Sequence, residues 1–285
     1  MSEPKIISNP AEVQKIARQW KKEGYTIGLV PTMGYLHDGH RSLIHKAAMQ
    51  NDKVIVSVFV NPIQFGPNED LDSYPRDLEA DTAVCASEGV DIIFHPEPED
   101  MYGDHFLTHV EVDEITKVLC GKSRPVHFRG VTTVVNKLMN ISKADRAYFG
   151  QKDAQQLAVV RKMVKDLNMD IEVVGCPIVR EEDGLAKSSR NKYLSPEERK
   201  AAVVLSRSLN KAHKLMDEGE RNADKIRETI REELSSEPLA DIEYVSVVDS
   251  ESLQDIEGDV TAPVLVAIAV RIGSTRLIDN FSFEL

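Results

Sequence analysis

Three things are scarce in this sequence. Positive charge is the first: 35 lysines and arginines face 47 aspartates and glutamates, for a formal net charge of −12. Such a chain presents no general electrostatic footprint for nucleic acid or an anionic membrane, so any cations that matter must be clustered locally. Cysteine is the second. Cys85, Cys120 and Cys176 are widely spaced, odd in number and form no CxxC pair, which argues against a disulfide framework or a structural zinc site and fits a reducing compartment. Buried structural thiols are the expected state of all three. Long apolar runs are the third: nothing approaches the ~18 residues of a membrane span, and the opening MSEPKIISNPAEVQ has no apolar signal core. The expectation is a cytoplasmic protein that engages neither nucleic acid nor membrane.

What is present is an ordinary globular balance, with 41% hydrophobic and 29% charged residues, over a length of 285 that suits two domains with separate cores. The runs TIGLV (26–30), KVIVSVFV (53–60), DIIFHP (91–96) and IEVVGCPI (171–178) are short, β-branched and almost continuously apolar. Runs of that kind suit strands buried on both faces of a parallel sheet. Helical patterns lie between them, in RSLIHKAAMQN, PRDLEADTAVCASEG and DAQQLAVVRKMVKDLN. The alternation predicts an α/β, Rossmann-type doubly wound domain over 1–180, with its ligand site at the carboxyl ends of the strands.

The pattern changes after Arg180. EEDG (181–184) is a turn signal, and SPEERKAAVVLSRSLNKAHKLMDEG reads as one helix capped by Ser195 with Pro196 at its first position. ADKIRETIREELSS is a second helical pattern, and IEYVSVVD, PVLVAIAVRI and TRLIDNFSF read as strands. Helices followed by consecutive strands predict a smaller α+β domain over 181–285. There is no internal repeat and no low-complexity tract.

Four segments carry chemistry. In PTMGYLHDGH an apolar strand ends, a glycine-containing loop follows, and a helix begins near Gly39. His37 and His40, three residues apart, share one side of its first turn. A helix N-terminus attracts phosphate, Gly34 and Gly39 permit close approach to the backbone, and imidazoles can donate to a leaving pyrophosphate. Zinc and incidental surface histidines are the rival readings. In GLAKSSRNKYL, Lys187, Ser188, Ser189 and Arg190 can close over phosphates, although by itself this loop also reads as a solvated turn. In YFGQKDAQQLAVV, Gly150 allows a tight turn before Lys152 and Asp153, and Gln155 and Gln156 follow in the first helical turn, where a long amide can reach a substrate hydroxyl, although by itself this also reads as a capped helix with exposed glutamines. In FVNPIQFGPNEDLDSYPRD, Asn61 and Gln64 sit among apolar residues directly after a core strand.

An HxGH loop followed about 150 residues later by a KSSR loop is the layout of the HIGH/KMSKS nucleotidyltransferases. Taken together, PTMGYLHDGH, VSVFVNPIQFGPNEDLDSYPRD, RPVHFRGVTTVVNKL, YFGQKDAQQLAVV, DGLAKSSRN and the closing RLIDN resemble the pantothenate synthetase (pantoate–β-alanine ligase) family over essentially the whole chain. The resemblance implies that a carboxylic acid, pantoate, attacks the α-phosphate of ATP with Mg²⁺ assisting, and that β-alanine then takes the acyl group and releases AMP. It implies a Rossmann-type domain binding both substrates, a C-terminal lid and a homodimer. By motif position, Met33, Gly34, His37, Asp38, Gly39 and His40 would form the ATP loop, with His40 the proton donor toward the phosphates and His37 its partner. Gly150, Gln151, Lys152 and Asp153, with Lys187, Ser188, Ser189 and Arg190, would complete the nucleotide site, Lys152 acting at the α-phosphate and Val179 near the adenine. Gln64 and Gln156 would hold pantoate, and Gln64 would also face β-alanine. The chain departs from many members at Lys187, where they carry an apolar residue; that cation could tighten phosphate binding or point to solvent. No protein ligand for the metal is assigned, although Asp81 lies near the right loop.

Two other readings compete. One is a different HIGH-type nucleotidyltransferase acting on a small cofactor precursor, or a tRNA-charging relative, the latter disfavoured by the missing basic surface. The other is a catalytically silent nucleotide-binding module, which could have dispensed with the histidines that are present here.

Overall fold

A computed structural model describes residues 3–67 and 69–285. The first half of the chain builds a sheet from β1 (Lys5–Ile7), β2 (Ile27–Thr32), β3 (Lys53–Val58), β4 (Ile92–Phe94), β5 (Arg146–Gly150) and β6 (Glu172–Cys176). Its helices are α1 (Pro10–Lys22), α2 (Asp38–Gln50), α3 (Leu78–Ser87), α4 (Pro98–Tyr102), α5 (Cys120–Ser123), α6 (His127–Ser142) and α7 (Ala154–Asp166). The six strands lie in the order β1-β4-β3-β2-β5-β6, and every pairing is parallel. Helices cover both faces, which is why the four predicted strand segments are nearly uniform in apolar character.

From β2 the chain winds outward through β3 to β4, then returns to place β5 on the other side of β2. That reversal opens a crevice at the carboxyl ends of β2 and β5, which pair with each other nearer their amino ends, Gly28 with Arg146 and Leu29 with Ala147.

Among the elements that the sequence patterns do not identify, which include α1, α4, α5 and β5, two escape for a plain physical reason. β1 is three residues long, too short for a periodicity signal. α6 hides in RPVHFRGVTTVVNKL because it is buried nearly all round, from His127 to Ser142, and β-branched residues mask its period.

The second half contains α8 (Pro196–Ala201), α9 (Val204–Asp217) and α10 (Ala223–Ser235), then β7 (Ala240–Asp249), β8 (Val264–Ile272) and β9 (Thr275–Phe283) in an antiparallel sheet, β7-β8-β9. Ser195 caps α8 as expected, accepting from the Glu198 N–H while Glu198 reaches back to the Ser195 N–H. The single helix read over SPEERKAAVVLSRSLNKAHKLMDEG is two. Val203 and Leu205 bond to carbonyls only three residues back, at Lys200 and Ala202, and this tightening separates α8 from α9 without a proline.

The continuous apolar run of β8 has a specific origin. Val264, Val266, Ile268, Val270 and Ile272 pack under α9 and α10, whereas Leu265 and Ala267 join the core of the parallel-sheet half. Both faces of this small sheet are buried, one of them against the rest of the molecule.

Candidate functional site

The carboxyl ends of β2, β3, β5 and β6 open into one cavity of about 220 Å³. Its lining includes Met33, His37, Gly39 and His40 from the β2–α2 loop, and Gly150, Lys152, Asp153 and Gln156 from the β5–α7 turn. Gln64, Val179 and Lys187 to Arg190 complete the predicted set that meets there. Three predicted residues stand apart from the lining. Gly34 lies beneath it, in the left-handed region at φ +84°, where an added Cβ would come within 2.9 Å of Val58. Asp38 and Gln151 are exposed.

The histidine pair is built by backbone. His37 is the N-cap of α2, and its Nδ1 accepts the Gly39 N–H at 3.1 Å; His40 Nδ1 accepts the His37 N–H at 3.3 Å. Both Nδ1 atoms act as acceptors, so each ring carries its proton on Nε2 as a neutral donor. The ring centroids lie 4.1 Å apart. Gly39 is required by this packing, because a Cβ there would meet His37 Cε1 at 2.8 Å. Burial, with the Lys152 charge adding to it, lowers His37 to about 4. Burial, the His37 charge and Lys152 hold His40 well below its ordinary value. Both imidazoles are therefore neutral near pH 7.

Asp81 supports this loop from below. It is 1% exposed, and its carboxylate accepts the N–H groups of Tyr35 and Leu36 at 2.9 and 2.6 Å. Burial nonetheless pushes its pKa up.

The KSSR segment arrives on a hairpin. Glu181 N–H donates to Leu185 O at 2.8 Å, Lys187 N–H to Val179 O at 2.9 Å, and Gly184 takes φ +94° at the expected turn. Ser188 caps the 3₁₀ turn Ser189–Tyr193, and the Ser189 hydroxyl donates to Tyr35 O at 3.4 Å. Lys187 Nζ, the variable position, sits between Asp38 at 2.5 Å and Glu181 at 2.9 Å. The lysine lines the cavity while already partly neutralised by two carboxylates.

Gln64 is 7% exposed. Its carbonyl oxygen accepts from Asn61 Nδ2 at 3.0 Å, and its amide meets Met33 Sδ at 3.2 Å. Gly130 of α6 lets this happen: a Cβ there would strike Gln64 Cα and Ile63 O at 2.5 Å. The neighbouring glutamines divide. Gln156 faces the cavity, but Gln155 is buried and engaged with backbone, accepting from the Cys120 N–H and donating to Ile115 O and Val118 O. The expectation that Gln155 is a substrate-reaching amide is corrected accordingly.

Sequence reasoning does not single out Arg124, His127 or Tyr74, all of which line the cavity. His127 Nδ1 lies 3.0 Å from Gln64 O, and burial followed by the Arg124 charge lowers its pKa to about 4. RPVHFRG is visible in the chain, but only the packing of α6 brings it to the site. A smaller cavity of about 80 Å³ adjoins the first through Arg124, His127, Lys152 and Gln156. Among the described residues there is no group of three side chains that could hold a metal ion, and no helix long and apolar enough to cross a membrane.

Comparison with known proteins agrees with this geometry. The family profile described as pantoate-beta-alanine ligase matches residues 5–282. The chain is 62% identical to the pantothenate synthetase of Clostridium acetobutylicum over 280 residues, 98% of this chain and 99% of that one. It is 61% identical to the pantothenate synthetase of Enterococcus faecalis, with the same coverage. The crystal structure of pantothenate synthetase from Thermus thermophilus superposes with a TM-score of 0.92 at 45% identity, covering 97% of this chain and 98% of that one. The pantoate-beta-alanine ligase of Francisella tularensis, solved with beta-gamma ATP and beta-alanine, gives 0.79 at 37% identity, with 98% and 97% coverage.

Proposed function

Because this chain belongs to the pantoate–β-alanine ligase family, we propose that it condenses pantoate with β-alanine, using ATP and passing through a pantoyl adenylate. The observation that carries the proposal is the single cavity at the β2/β5 reversal. There a neutral histidine pair, Lys152, the KSSR hairpin and the Gln64 and Gln156 amides all line one space.

In the first step a pantoate carboxylate oxygen bonds to the α-phosphorus, and the bond from that phosphorus to the bridging oxygen of pyrophosphate breaks. Charge grows on the departing oxygens. Nε2–H donors on His40 and His37, the Lys152 ammonium and the Arg190 guanidinium are suited to receive it without prior reorganisation. Gln64, its carboxamide fixed by Asn61, and Gln156 are assigned to pantoate, whose carboxylate they would hold beside the α-phosphate. In the second step the β-alanine amine bonds to the acyl carbon, AMP leaves with the electrons of the acyl–oxygen bond, and the ammonium proton passes to solvent. Gln64 is assigned to the β-alanine side as well.

Mg²⁺ accompanies ATP in this scheme and neutralises phosphate charge. Asp81 already accepts two backbone N–H groups and Asp38 is paired with Lys187, and among the described residues Asp153 is the one carboxylate in the cavity lining. That donor set fits a metal held chiefly by triphosphate oxygens. We assign residues 181–285 to a unit that closes over the nucleotide, because its KSSR hairpin bonds to the β2–α2 loop. A homodimer is assigned on the family resemblance, and the three free, buried cysteines support a reducing, cytoplasmic location.

The deciding experiment is pantoate-dependent ATP–pyrophosphate exchange without β-alanine, then AMP release when β-alanine is added. Exchange that ignores pantoate, or products of ADP and phosphate, would overturn the ligase assignment. A stable adenylylated product would instead favour another HIGH-type nucleotidyltransferase.

A further inference from the structure

We infer that Asn280, on the last strand of the C-terminal sheet, is a positioning residue for Lys152, an inference that rests on the ligase reading above. Asn280 is 5% exposed. Its Nδ2 donates to Gln151 O at 3.1 Å and to Lys152 O at 2.8 Å, so one amide holds two consecutive carbonyls of the turn that carries the lysine. Strand alternation explains its reach. Ile278 on β9 packs against the parallel-sheet core, and Asn280, two residues on, points to the same side.

The turn depends on this hold. It is a three-residue 3₁₀ segment, Gln151–Asp153, with no side-chain cap. Gly150, which leads into it, has open space where a Cβ would stand, so packing does not wedge the chain there. Asn280 is itself braced. Its backbone N–H donates to Asp279 Oδ1 at 2.8 Å. Asp279, 2% exposed, receives both Nη atoms of Arg180 at 2.6 and 3.0 Å. Arg180 Nη1 also donates to Gly184 O at 3.0 Å, in the turn of the hairpin bearing Lys187 to Arg190. The dipeptide Asp279–Asn280 thus ties both cationic flanks of the proposed phosphate site to the C-terminal sheet. A filler of space would not need an amide with both hydrogens engaged. A holder of two adjacent carbonyls does, and small displacements of a charge at a reacting phosphate cost about 10²-fold in rate.

A double-mutant cycle with Lys152 tests this. Asn280→Ala is expected to lower the rate of pantoate-dependent ATP–pyrophosphate exchange about 10- to 100-fold in the otherwise native protein. In a Lys152→Ala background it is expected to change the rate by less than about twofold, because the group it positions is gone. Full losses that multiply, or no loss in the native background, would overturn the inference. Should the alanine variant fail to fold, Asn280→Asp keeps the volume while removing the donors, and the same pattern is required of it. Absence of exchange in the native protein would count against the ligase reading instead. ATP affinity by calorimetry then decides the inference: Asn280→Ala must weaken binding in the native background and leave it unchanged beside Lys152→Ala.

Discussion

Arg190 and Asp70 form a two-pronged ion pair beside the cavity at the strand ends, with Nε to Oδ2 at 3.0 Å and Nη2 to Oδ1 at 2.8 Å. The adjacent acid, Glu69, does the same for Arg124, at 2.5 and 2.8 Å. One loop after β3 therefore holds two arginines, one from each half of the chain, against the same cavity.

Asp70→Ala would leave a mostly buried guanidinium without its carboxylate. Charged hydrogen bonds of this type contribute roughly 1.5–3 kcal/mol. A fall of several degrees in Tm is expected, together with a higher KM for ATP as Arg190 loses its orientation. An unchanged melting curve would mean that water replaces Asp70 at no cost.

Glu69 gives a pH signature. Burial pushes its carboxyl up, but Arg124 and the Gly66 N–H outweigh this and bring it to about 2, against an ordinary 4.5. A depressed carboxyl stabilises the fold fully above its unfolded value, and that stabilisation disappears as pH falls through the folded one. The stability margin of the native protein over Glu69→Gln should therefore be constant above about pH 4.5 and shrink toward about pH 2. Urea melts across that range measure it.

For the histidines the sign is set by lowered values. His37 titrates near 4 rather than 6.5, so the unfolded chain takes up its proton first. The resulting stability is complete above about 6.5 and is lost as pH falls toward 4. The pH–rate profile for exchange should show no inflection near 6.5 from this pair. His40→Ala should reduce exchange by about 10²–10³-fold while shifting Tm by only a few degrees. A comparable loss of ATP affinity would reassign His40 from the reaction to binding.

Gly130→Ala tests a close approach that no side chain advertises. The new methyl must displace the backbone at Gln64. About 1–3 kcal/mol of destabilisation is expected from such overpacking, with pantoate KM raised about tenfold as Gln64 moves. Steady-state kinetics with saturating ATP and β-alanine would register it.

Lys187→Met removes a cation that is already flanked by Asp38 and Glu181. Asp38 is largely exposed, so the pair contributes little to stability. Tm should hold, ATP KM should rise by no more than a few-fold, and kcat should change by less than about twofold. A large kcat loss would place Lys187 among the groups that act on the phosphates.

Sequence by itself determined four of the six strands of the parallel sheet, β2, β3, β4 and β6, the change of pattern near Arg180 and the loops that carry charge. These are local properties: apolar runs, turn residues and caps act through near neighbours in the chain. PTMGYLHDGH also showed a histidine pair at a helix start, because that geometry follows from a spacing of three. Tertiary structure alone decided which side chains converge. His127 and Arg124 reach the cavity only because Gly130 lets α6 press on Gln64. Gln155 and Gln156 are indistinguishable in sequence, yet the helix turns one to backbone and the other to the cavity. Asn280 meets Lys152 across 128 residues of chain, a contact set by the burial of the second face of the small sheet, which no local pattern encodes.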